Sequence, residues 1–149
     1  MVEFRKILFP VDLSAVSTST VDHAVSLARK FSAELHVVYV VRAFEAFAEV
    51  DFVPSVQYEA SLAAVDQAAN DRLRDFVEKN LAEYPNVKWR VLHGHTAREI
   101  LGYIGANEIS LVVMGTHGRR GLDRILFGSV AQRVVQSSPV PVLTIRPTP

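Results

Sequence analysis

Cysteine is absent from the 149-residue chain. That excludes a disulfide framework, a thiolate metal site and a cysteine nucleophile. No apolar run approaches the ~18 residues a membrane-spanning helix needs. The opening MVEFRKILFPVD carries an acid and a proline where a signal peptide would continue its apolar region, so the reading is a soluble, cytoplasmic chain. Net charge is missing too: Lys+Arg and Asp+Glu both number 16, giving no overall field that demands nucleic acid. Only four lysines occur, at 6, 30, 79 and 88, and no G-x-x-x-x-G-K-[ST] surrounds any of them. A phosphate-gripping P-loop lysine is therefore excluded, and G-x-G-x-x-G is absent as well.

What is present is ordinary in bulk and uneven in detail. Apolar residues make up 49% and charged residues 21%, a globular mixture for one domain over residues 1–149. Residues 43–83 hold nine acids against three bases, whereas residues 115–149 hold five arginines against Asp123. The second segment suits an anionic ligand or a solvated face.

Apolar runs alternate with helical patterns along the whole chain. ILFPV (7–11), ELHVVYVV (34–41), VKWRVL (87–92), ISLVVM (109–114) and VPVLTI (140–145) read as buried strands. Val21, Ala24, Val25, Ala28 and Phe31 make one helical face, with Ser14 or Ser17 as N-cap. A long polar helix spans about Tyr58 to Tyr84, before Pro85. Another opens with Thr96 three residues ahead of Glu99, the spacing of a capping box. A last helix covers about Ser129 to Ser137. Residues 42–57, with Phe44, Phe47 and Phe52 among acids, have no period and read as a loop.

Five strands joined by four crossovers long enough for helices predict a doubly wound α/β domain. Its parallel sheet is covered on both faces. With strand order 3-2-1-4-5, strand direction of winding reverses between strands one and four, and ligands bind at that switch point beyond the carboxyl ends. Asp12 follows strand one, and Gly115 begins MGTHGRRGLDRILFGS after strand four.

That stretch holds four of the seven glycines: Gly115, Gly118, Gly121 and Gly128. Without a Cβ their N–H groups can wrap phosphate oxygens, and Ser129 stands where helix N–H groups and dipole favour an anion. Asp12, acceptor-only when ionised, suits ribose hydroxyls or an adenine amino group. The plainer alternatives are a βα loop needing positive φ and a turn or capping aspartate. His93 and His95 are spaced to face one way and grip a metal, but Gly94 between them ends the strand and no third ligand follows. His117 touches phosphate or solvent, and Arg119, Arg120 and Arg124 clamp phosphates or line a surface.

Gly115-Thr116-His117-Gly118, nine residues, then Gly128-Ser129 resembles the G-x2-G-x9-G-[ST] signature of nucleotide-binding universal stress proteins. KILFPVDLS, HVVYV, VLHG, SLVVMGTHGRRGL and SSPVPVLTIRP extend the resemblance over the chain. It implies ATP, with a divalent cation such as Mg²⁺ on its phosphates, held between the first and fourth strands. Carried over by position, Asp12 contacts ribose, and the backbone of Val11 (beside Pro10) and of Val40 meets adenine. Met114 and Gly115 flank the nucleotide, and Gly118, Gly128 and Ser129 hold phosphates. It also implies a homodimer through the last strand, from Val140 to Ile145, where VPVLTI is an apolar edge needing cover. The function expected is a nucleotide-dependent stress-response module with an unidentified protein partner and at most slow ATP hydrolysis. The rival is a nucleotidyl-transfer or ATP-pyrophosphate-cleaving enzyme using the same cradle.

Overall fold

The computed structural model describes residues 1–42, 55–116 and 127–146. Five parallel strands alternate with four helices: β1 (Lys6–Val11), α1 (Ala15–Phe31), β2 (Glu34–Val41), α2 (Ser55–Asn80), β3 (Val87–His93), α3 (Thr96–Ala106), β4 (Leu111–Gly115), α4 (Ser129–Ser137) and β5 (Val142–Ile145). The sheet order is β3-β2-β1-β4-β5, the doubly wound arrangement that the alternating pattern predicts.

Side-chain alternation explains why both sheet faces are covered. Ile7 and Phe9 of β1, Leu35 and Val37 of β2, and Leu111 and Val113 of β4 point into one core with Val21, Ala24 and Ala28 of α1 and Leu73 and Phe76 of α2. Leu8, Val38, Val112 and Met114 point the other way, onto Ala97, Ile100 and Ile104 of α3 and Ala131 and Val134 of α4. Among the described residues, no helix is long and apolar enough to cross a membrane.

Element ends depart from the sequence reading for local reasons. α2 starts at Ser55, inside the expected loop, and stops at Asn80 rather than Tyr84. The Asn80 side chain donates to Phe76 O (2.9 Å), and the chain turns off the helix axis to bury Leu81. Tyr84 then donates its hydroxyl to Ala33 O, tying this turn to the α1–β2 junction. Residues 43–54, including Phe44, Phe47 and Phe52, lie outside the described residues. β4 begins at Leu111 because Glu108 turns at φ 55° and Ser110 closes on Lys6, its N–H and Oγ both donating to Lys6 O at 2.9 Å. β5 begins at Val142, since the Ser138 hydroxyl captures Val140 O at 2.7 Å and Pro141 follows.

The expected capping box is not made. His95 is the N-cap of α3 and Thr96 its first helical residue; Glu99 N–H bonds His95 O instead (2.9 Å). The Glu99 carboxyl folds back against Gly94, where a Cβ would meet Oε1 at 2.8 Å. A Cβ there would be relieved by a swing of the Glu99 side chain, but Gly94 also has φ 138°, so it is conformation that requires glycine.

α1 ends on Ser32, exposed and left-handed at φ 52°, ψ 39°, its N–H reaching Ala28 O and Arg29 O. Glycine takes that conformation without the Cβ penalty of roughly 1–2 kcal/mol. Ser32→Gly is therefore expected to raise stability by about 1 kcal/mol, read as a higher urea midpoint at unchanged slope. An unchanged or lower midpoint would mean that the serine is not strained.

Candidate functional site

The crevice lies where β1 and β4 part. β1 stays in register with β2 through Val11↔Tyr39, but its pairs with β4 are Ile7↔Leu111 and Leu8↔Val112. Pro10 follows, a residue with no N–H to donate to either neighbour. The seam therefore loosens towards the carboxyl ends, at the position where helices switch from one face of the sheet to the other.

One lip is the turn after β1. Asp12 Oδ1 accepts from Ser14 N–H at 2.9 Å and from the Ser14 hydroxyl. Ser14 is the N-cap of α1, yet its hydroxyl makes no cap bond, because it is turned onto Asp12. Leu13 between them is left-handed at φ 61°, strain held in place by its packing against the α1/α2 core. The turn role weighed for Asp12 is real, and its carboxylate is fixed at the mouth of the crevice.

The other lip is the segment after β4. Gly115 ends the strand, paired with Ile145 of β5, and Thr116 is buried with its N–H on Ile145 O (3.0 Å). Thr116 O accepts Gly128 N–H at 2.7 Å. This clasp brings the two ends of the glycine stretch together, so Gly115 and Gly128 lie at one place in the fold although twelve residues separate them. Gly128, not Ser129, is the N-cap of α4 (φ −67°, ψ 162°), and Ser129 is the first helical residue without a side-chain cap bond. The expected capping role of Ser129 is thus taken by glycine backbone, which leaves the serine in the first turn.

The remaining candidates divide four ways. Val11 and Met114 are buried, facing opposite cores, so they can offer a ligand main chain only. Pro10 and Val40 are half-buried at the ends of the central strands. Gly118, His117, Gly121, Arg119, Arg120 and Arg124 lie outside the described residues. His93 bonds Asp66 of α2 through Nε2 at 2.8 Å, while His95 holds the N-cap position of α3 with no side-chain cap bond. Among the described residues, no group of three or more His, Asp or Glu is placed to hold a metal.

A second polar constellation went unseen in the sequence, at the opposite end of the sheet. His36 of β2, 4% exposed, bonds Glu34 Oε1 through Nε2 (2.5 Å) and the Tyr103 hydroxyl of α3 through Nδ1 (2.7 Å). Lys88 of β3 completes it, 3.1 Å from Glu34 Oε2. Burial pushes His36 below its ordinary value, against the opposing pull of Glu34. Burial alone would raise the Glu34 carboxyl, but hydrogen bonds from Lys88 and His36 outweigh it and hold the group below its usual range. Burial raises Tyr103. The signal available was Glu-x-His inside an apolar run: residues two apart on a strand share a face.

With this geometry in place, comparison with known proteins is decisive about kinship. The model of the universal stress protein family matches residues 3–146. The chain belongs to that family. It is 33% identical over 147 residues to universal stress protein MJ0531 of Methanocaldococcus jannaschii, covering 96% of this chain and 82% of that one. The solved structure of MJ0577 superposes with a TM-score of 0.81 at 24% identity, over 99% of both chains. A universal stress protein from Archaeoglobus fulgidus, solved in complex with dAMP, superposes at 0.64 and 18% identity, covering 97% of this chain and 99% of that one. Those two likenesses establish the universal stress protein fold.

Proposed function

We propose that the chain is an adenine-nucleotide-binding universal stress protein that holds ATP, with a divalent cation such as Mg²⁺ riding on the phosphates, in the β1–β4 crevice. The observation that carries this reading is the clasp between Gly128 N–H and Thr116 O at 2.7 Å. It gathers glycine backbone and the N-terminus of a nine-residue helix opposite a fixed aspartate. Such a place offers N–H donors and a positive dipole end to phosphates, and acceptors to a sugar. The residues present fit the ligand: Ser129 and the first turn of α4 face it as donors, Gly115 and Gly128 as backbone with no Cβ in the way (the Gly128 N–H itself being held by Thr116 O), Asp12 as the ribose partner, and Pro10, Val11, Val40 and Met114 as main chain or wall. Gly118 joins them by its place in the signature. The dAMP found in the Archaeoglobus fulgidus relative supports an adenine nucleotide as ligand class.

The chain then works as a cytoplasmic module whose nucleotide state sets its contacts. β5 is the edge next to β4, with exposed Leu143 on it and exposed Val135 on the neighbouring α4. A second copy pairing along Val140 to Ile145 would cover that apolar edge.

Protein purified without added nucleotide and then denatured should release an adenine nucleotide, and the stripped protein should take up ATP with a Kd of order 1 μM, near −8 kcal/mol. Magnesium should tighten binding. An empty extract together with no calorimetric heat would overturn the reading.

A further inference from the structure

We propose that Glu34, His36 and Tyr103 form an acid-sensitive latch that fastens the last turn of α3 to the sheet. The inference stands apart from nucleotide binding, because the cluster lies at the amino ends of β1, β2 and β3, away from the crevice.

The bonding pattern defines one closed state. Ionised Glu34 can only accept, so His36 Nε2 carries the proton given to Oε1 at 2.5 Å. Nδ1 is then bare and accepts from the Tyr103 O–H at 2.7 Å. The chain of donors runs from α3 through the imidazole to β2, and Lys88 closes it on β3. Tyr103 sits where α3 finishes: its carbonyl accepts from Asn107 N–H (3.1 Å) and from the Asn107 side chain (3.0 Å). The imidazole is thus one polar tie between the end of α3 and the sheet, beside Lys6 Nζ donating to Asn107 O (3.2 Å), on a face otherwise joined by Leu8, Val38, Ile100 and Ile104.

A second proton on His36 reverses the outer bond. Nδ1–H then points at the phenol oxygen, and the Tyr103 hydroxyl must turn its own proton elsewhere. The charge also enters a crowded field. Lys6 of β1 and Lys88 of β3 both act unfavourably on His36, and Arg90 of β3 lies close enough to act on Tyr103. Glu34, already shared with Lys88, is the carboxylate that faces the ring; Glu108, beyond α3, is engaged 3.5 Å from Lys6. Burial likewise favours the neutral ring. Folded His36 therefore takes its second proton less readily than in the unfolded chain, near the ordinary 6.5. The latch is fully closed above that value and loses its stabilisation as pH falls from it through the depressed folded value. Glu34, held low, keeps its own contribution until more acid conditions still. Because α3 packs against α4 in one core, release of the latch loosens the helix layer that ends at Gly128 and Ser129.

Amide hydrogen exchange of the full chain at pH 7.5 and 5.0, corrected for intrinsic rates, tests this. In the wild type, protection of α3 amides relative to β1 should fall about tenfold on acidification, because the buried ring becomes charged beside Lys6 and Lys88 and is better solvated when α3 opens. His36→Gln, which can still donate to Glu34 but does not titrate, should abolish that pH dependence. Tyr103→Phe removes the outer bond and should bring the fall already at pH 7.5; it carries the test alone if His36→Gln does not fold. Equal acid loss in His36→Gln, no acid loss in the wild type, or unchanged protection in Tyr103→Phe at pH 7.5 would each overturn the latch.

Discussion

Gly128→Val should lower ATP affinity by about 100-fold, ~2.7 kcal/mol, while leaving the fold intact. The position separates the two effects cleanly. Gly128 has φ −67° and ψ 162°, backbone that any L-residue adopts, and its N–H on Thr116 O survives the change. Valine is a poorer N-cap than glycine, so stability should drop by no more than about 1 kcal/mol. The branched side chain, however, would stand beside the N–H groups that phosphates must reach at hydrogen-bond distance. Calorimetric titration of ATP, paired with a thermal melt, reads both quantities. A variant that melts normally and binds ATP like the wild type would remove the phosphate role from this end of the stretch.

The largest stability effect should come from Phe9→Ala. Phe9 is fully buried on the central strand and packs with residues of α1 and α2. Truncating such a ring costs about 3–5 kcal/mol through lost transfer energy and the cavity left behind. Against a total stability of about 5–15 kcal/mol this is roughly a fifth or more, and the melting point should fall by on the order of 10 °C. If the proposed ligand is correct, ATP at 100 times its Kd should return about 2.7 kcal/mol. A loss below about 1 kcal/mol would mean that the β1 face is not tightly packed.

The fold was legible because its signal is repeated and redundant. Five apolar runs, each bounded by polar helical stretches, specify a parallel sheet covered on both faces, and shifting one run by a residue would not change that. The ends were less legible, since each depends on one or two local contacts. Asn80 reaching back to Phe76, the Ser138 hydroxyl on Val140, and Glu99 lying on Gly94 each compete with a standard cap, and the spacing of residue types does not rank such competitors. Of the candidate site, the lips were legible: Asp12 at the end of β1, Gly115 at the end of β4, Gly128 and Ser129 at the start of α4. The clasp between Thr116 and Gly128 was not, because it is made by main-chain atoms that every residue possesses. The His36 cluster was hidden for another reason. Its members come from β2, β3 and α3, so only the folded chain brings Tyr103 onto the His36 imidazole and Lys88 onto the Glu34 carboxylate.

The β1–β4 seam also sets a timetable for the chain as it is made. Ile7 and Leu8 pair with Leu111 and Val112, partners separated by more than a hundred positions, whereas β1 finds β2 within about thirty. Contacts so distant in sequence form late, after the entropy of closing a long loop has been met. On the ribosome, β1 and β2 can associate early, but the central strand keeps one open edge until the fourth strand emerges. The crevice is therefore completed late within this domain. A nascent chain that stops short of Gly128 has no clasp, and a ligand of the crevice can stabilise only chains in which β4 and the start of α4 have already been made.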